Sequence, residues 1–163
     1  MGLFSKKRKV SVDDLSMEMM LAASDAIGKL QRFDDIDDIQ SMKIGMGYFY
    51  GFLKYRLNNI TGSSITNAIV NKSITNLENA TKDKPMFADF GNTVRPIATG
   101  AADNMEYAMS RLKDNPFMGI AVFYLKDLCN STTLDVSKVD IAENNMRLLY
   151  EMASALTKDI KIV

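Results

Sequence analysis

The segment Val139-Asp-Ile-Ala-Glu-Asn-Asn-Met-Arg-Leu-Leu-Tyr-Glu-Met-Ala-Ser-Ala-Leu-Thr-Lys-Asp-Ile160 decides the fold class. Its residues Val139, Ala142, Met146, Leu149, Ala153, Leu156 and Ile160 recur at alternating spacings of 3 and 4. At 3.6 residues per turn they form one narrow apolar stripe along a helix, the pattern of a bundle or coiled-coil seam. Such a stripe has to be covered, either by other helices of the chain or by a partner. Met146 and Leu149, at its middle, are therefore candidate partner-contact residues. Just before it, Ser137 and Asp140 resemble a capping box with Asp in place of Glu.

Moving outward, Asn115-Pro116 reads as a helix start, with Asn as N-cap and Pro at the first helical position. The helix it opens runs to about Cys129 and carries apolar residues on most sides, from Phe117 to Leu128. Upstream, Ala98, Ala101, Met105, Ala108 and Leu112 mark a helix over about Pro96–Lys113. Between Lys82 and Pro96 stand Pro85, Gly91, Met86, Phe87 and Phe90, which read as one long irregular connection. Long loops in compact domains are commonly functional, so Met86, Phe87 and Phe90 are candidate contact residues. A weakly patterned helix is expected from about Ile65 to Thr81, after the turn at Thr61-Gly62.

The segment Ile44-Gly-Met-Gly-Tyr-Phe-Tyr-Gly-Phe-Leu53 is apolar all round and reads as a central helix, with a strand as the competing reading because aromatics favour strands. Its three glycines lack a strand before them and the spacing of a dinucleotide fingerprint. They are expected to let a neighbouring helix come close. The helix begins within Asp34–Asp38 and extends to about Asn58. A first helix follows Ser11, with Leu15, Met19, Ala22, Ala26, Leu30 and Phe33 on one face. Gly28 weakens it by about 1 kcal/mol relative to alanine. The expected architecture is all-α: a single-domain bundle of five or six helices over 11–163, preceded by a basic arm over 1–10 and interrupted by one irregular connection at about 82–96.

Composition narrows the function. The chain has 163 residues, 20 basic and 20 acidic, no histidine, and one cysteine, Cys129. The absence of histidine removes Ser-His-Asp and Cys-His nucleophiles and His-ligated metals. A single cysteine allows no internal disulfide and no multi-cysteine metal site. No cofactor motif stands in the sequence. Cytoplasmic residence is the expectation, since no secretory h-region follows the basic stretch and no apolar run approaches a spanning length.

Two charged clusters remain. Lys6, Lys7, Arg8 and Lys9 follow Leu3 and Phe4. Residues 3–10 could rest weakly on an anionic membrane, each base contributing about 1 kcal/mol near the surface. Nucleic acid is a poorer fit, because no aromatic-basic surface continues the patch. Asp34-Asp-Ile-Asp-Asp38 fits a magnesium-holding carboxylate pattern, and also the dipole-stabilised start of a helix. Twelve methionines fill irregular cores or build an adaptable groove.

The first expectation is a non-enzymatic protein-interaction module: an adaptor, assembly subunit or inhibitor-type protein of bacterial or phage-like character. Its partner would be another protein or a second copy of the chain. A membrane-peripheral protein anchored by the basic arm is the alternative. A Mg²⁺-dependent enzyme using Asp34–Asp38 is the third reading.

Overall fold

The all-apolar segment 44–53 is helical, and it is the axis of the molecule. The computed structural model describes residues 6–163. Helix α1 spans Val12–Lys29, α2 Asp38–Thr61, α3 Ser63–Thr81, α4 Phe90–Arg111, α5 Pro116–Cys129 and α6 Val139–Thr157. Single 3-10 turns at Pro85–Phe87 and Val136–Lys138 lead into α4 and α6. Two three-residue strands, β1 (Arg8–Val10) and β2 (Ile160–Ile162), pair in parallel. The all-α bundle expected from the sequence is thus the observed one.

Helix α2 packs against all five other helices. Every residue from Ile44 to Leu53 is buried. Its start is fixed by Asp37, whose carboxylate accepts the Gln40 N–H at 2.8 Å. Gly62, with φ +82°, ends it and turns the chain straight into α3; few other residues tolerate that backbone. The glycines of α2 face its neighbours. A β-carbon on Gly51 would stand 2.5 Å from the Ala101 β-carbon and 2.9 Å from the Ala98 carbonyl oxygen. One on Gly47 would stand 2.3 Å from Ile97. The close approach of α2 and α4 is therefore set by glycine on one helix against alanine and isoleucine on the other.

Two buried tyrosines of α2 keep their hydroxyls paired. Tyr48 donates to an Asp127 carboxylate oxygen at 2.6 Å, and the Tyr50 hydroxyl lies 2.9 Å from Ser73 Oγ. Burial pushes the Tyr50 phenol up to about 12 and raises that of Tyr48 further, so both are neutral bonding groups rather than acids.

Four boundaries differ from expectation. Helix α1 ends at Lys29, so Leu30 caps it and Phe33 lies beyond it in the loop. Helix α4 begins at Phe90, so the irregular connection is 82–89 and not 82–96. Phe90 and Val94 are both buried, and this packing carries the helix through Pro96. Pro96 and Asn92 both face solvent, so the Asn92 carbonyl that Pro96 leaves unpaired can meet water. Helix α6 ends at Thr157, because Asp159 adopts a left-handed conformation with φ 51°. Ile160, expected on the helix stripe, instead enters the core from β2. The basic arm is not separate along its whole length: Arg8–Val10 form β1, and Val10 is buried. Leu3 and Phe4, named with the membrane reading, lie outside the described residues.

A single side chain locks the first interhelical loop. Asn145 of α6 accepts the Gln31 N–H at 2.9 Å and donates to the Gln31 carbonyl at 2.8 Å. It is 3% exposed, so neither bond can be exchanged freely for water.

Three outcomes follow for urea denaturation. Gly28, around whose missing β-carbon no atom lies within 4 Å, tolerates alanine, and Gly28→Ala raises stability by up to about 1 kcal/mol. Gly51→Ala makes the same propensity gain but drives α2 from α4, and lowers stability by about 1–3 kcal/mol. Asn145→Ala leaves the Gln31 backbone groups unpaired and lowers it by about 2–3 kcal/mol.

Candidate interaction surface

The terminal ribbon gathers more charge than the N-terminal sequence alone contains. β1 and β2 align Arg8 with Ile160, Lys9 with Lys161 and Val10 with Ile162. The backbone ties continue at both ends: the Arg8 N–H donates to Asp159 O at 2.8 Å, and the Val163 N–H to Val10 O at 3.0 Å. Successive residues of a strand point to opposite faces. Val10 and Ile160 are buried, whereas Lys9 and Lys161 are exposed side by side on the outer face. Lys6, Lys7 and Lys158 are exposed at the ends of the same ribbon.

Arg8 differs from its neighbours. Its two terminal nitrogens bond the two Glu18 carboxylate oxygens at 2.7 and 2.9 Å, which fastens β1 along α1. This fork-to-fork pair holds the guanidinium above its ordinary value. Arg8 is therefore an anchoring residue. Among the described residues none of Lys6, Lys7, Lys9, Lys158 or Lys161 joins an ion pair.

The remaining sequence candidates fall in different places. Met146 and Leu149 are fully buried among the chain's own helices. They are not a free contact surface, because the α6 stripe is covered from within by α2 and α5. Phe90 is likewise core, and is corrected from a loop contact to the first residue of α4. Phe87 is half-buried and meets Phe90 edge to face at 5.6 Å. Met86 stays exposed.

The acidic cluster does not converge on one point. Asp37 caps α2, Asp38 pairs with Arg32 at 2.9 Å, and Asp35 pairs with Lys138 at 2.9 Å. Among the described residues no three acidic, cysteine or histidine side chains are placed to share a metal ion. No helix among them is long and apolar enough to cross a membrane.

Two residues of this candidate surface are not singled out by the sequence: Lys158 and Lys161. The signal was present in Ile160-Lys161-Ile162, whose period-2 alternation marks a strand. It was masked because Ile160 also continues the helical spacing of α6.

Lys138 makes a second ionic node, joining the α1–α2 loop to the turn before α6. Its ammonium bonds Asp135 at 2.5 Å as well as Asp35. Hydrogen bonds from Lys138 and Ser137 hold the Asp135 carboxyl down to about 2, and the Lys138 bond lowers that of Asp35. In the unfolded chain both carboxyls return to about 4, so below that pH the unfolded state takes up protons first. The stabilisation is complete above about pH 4 and disappears as pH falls through about 2. Melting temperatures of the native chain and Lys138→Met are expected to differ at pH 5 and to converge by about pH 2.

No protein-family model, curated protein or solved structure matches the chain.

Proposed function

We propose that this chain is a non-catalytic binding module that meets an acidic surface of a partner protein through the lysine face of its terminal ribbon. The reading rests on one observation: strand register places Lys9 beside Lys161, with Lys6, Lys7 and Lys158 near and, among the described residues, no carboxylate paired to any of them. Like charges on adjacent strands oppose folding. A fold that breaks a local rule without an internal gain does so where it is used. The chain has no histidine, the side chain most used in acid-base catalysis.

Contact with an anionic membrane is the second reading. It is favoured by Leu3 and Phe4, which precede the lysines and supply apolar side chains to a basic segment.

The double variant Lys9→Gln/Lys161→Gln tests the first reading. Proteins captured from the native source are identified, purified and titrated against both forms. The expected partner is acidic, binds the native chain in a salt-sensitive manner, and binds the variant about tenfold or more weakly. Equal affinity for both forms sinks the proposal. The variant itself is expected to be no less stable than the native chain, and more stable by at most a few tenths of a kcal/mol after solvent screening. Flotation of the full chain with phosphatidylserine vesicles separates the second reading. Co-flotation lost in Leu3→Ala/Phe4→Ala supports a membrane contact, and no flotation excludes it.

A further inference from the structure

A second feature lies away from the ribbon. Where the end of α1, the start of α2, the end of α3 and the turn before α4 meet, a groove of about 310 Å³ opens. Its volume is at the lower end of the range for small-ligand pockets, about 300–1,000 Å³. Its apolar wall is built from Met42, Met46, Leu77, Phe87 and Phe90. Met46 and Phe90 are buried and held by the core, whereas Met42 and Phe87 are half-buried and can adjust. Gly28 forms part of the rim, and its missing β-carbon leaves open space there.

The polar groups of this wall are one-sided. Ser24 and Thr81 donate their hydroxyl protons to their own helices, at Met20 O and Leu77 O. Among the described residues, Arg32 and Lys84 are the cations that line the groove, and no carboxylate lines it. Arg32 spends one terminal nitrogen on Asp38, and Lys84 makes no ion pair among the described residues. The donors left for a ligand are thus cationic, next to a methionine and phenylalanine wall. An occupant that matches both is an alkyl chain with an anionic head. The small lining argues against a protein segment as occupant, since a stable protein interface takes about 20–30 residues a side.

We propose that this groove binds a medium-chain carboxylate, with the alkyl chain against Met42, Met46, Phe87 and Phe90 and the head at Lys84 and Arg32. The proposal is independent of the ribbon. Lys84→Met removes a charge-assisted bond to the head. Gly28→Leu projects a side chain into the opening at a position where helix propensity improves.

Calorimetric titration of the full chain with decanoate and decylammonium below their micellar concentrations, and 1-decanol below its solubility limit, tests it. Decanoate is expected to bind one to one, and the alcohol and the ammonium about tenfold or more weakly. Lys84→Met is expected to weaken decanoate by a similar factor and to leave decanol unchanged. Gly28→Leu is expected to reduce all binding while the melting temperature holds or rises. Absence of decanoate binding overturns the site. Equal binding of the three heads overturns the role of Lys84 and Arg32, and undiminished binding to Gly28→Leu overturns the location.

Discussion

The approach of α2 to α4 is the contact on which the remaining architecture depends. Gly47 and Gly51 leave no side chain between α2 and its neighbour, and Ala98, Ala101 and Ile97 fill the space. With α4 that near, the segment Ile44–Leu53 of α2 is enclosed and its aromatics are buried. Tyr48, Phe49, Tyr50 and Phe52 are then fully buried. Such rings bury much apolar area, but only if each hydroxyl finds a partner. Asp127 of α5 and Ser73 of α3 supply those partners, so two outer helices are oriented by polar bonds to the central one.

The outer helices are held in a second way, by short polar clamps across loops. Asn145 treats the Gln31 backbone as a neighbouring strand would, and Lys138 bridges the same loop to the start of α6. The Asp34–Asp38 segment therefore has structural work at three of its carboxylates. The interior and these clamps account for most of the polar and apolar groups singled out in the sequence. The ribbon lysines and the groove beside Phe87 stand apart because neither is needed to close the core.

Much of the fold is readable from residue spacing, and the reasons for the exceptions are physical. Helix α5 was legible to the residue, because Asn115-Pro116 is a strong start signal and Cys129 precedes an asparagine that adopts the left-handed cap. Helix α4 was not, because Pro96 reads as a boundary in sequence while burial of Phe90 and Val94 overrides it. The end of α6 was hidden by Ile160, which satisfies two periodicities at once. Of the candidate surface, Lys6–Lys9 were legible as a charge run. Their union with Lys158 and Lys161 was not, because a parallel pairing of distant segments leaves no trace in local pattern. Met146 and Leu149 show the converse: a seam reads alike whether the chain or a partner covers it.

The parallel ribbon has a consequence for how the molecule is made. Arg8 and its register partner Ile160 are separated by 152 positions. At ribosomal speeds of about 5–20 residues per second, β1 waits roughly 8–30 s for its mate. Through that interval the six helices between the two strands are made while the Val10 edge stays bare. Closure of the ribbon thus reports that translation has passed Ile162.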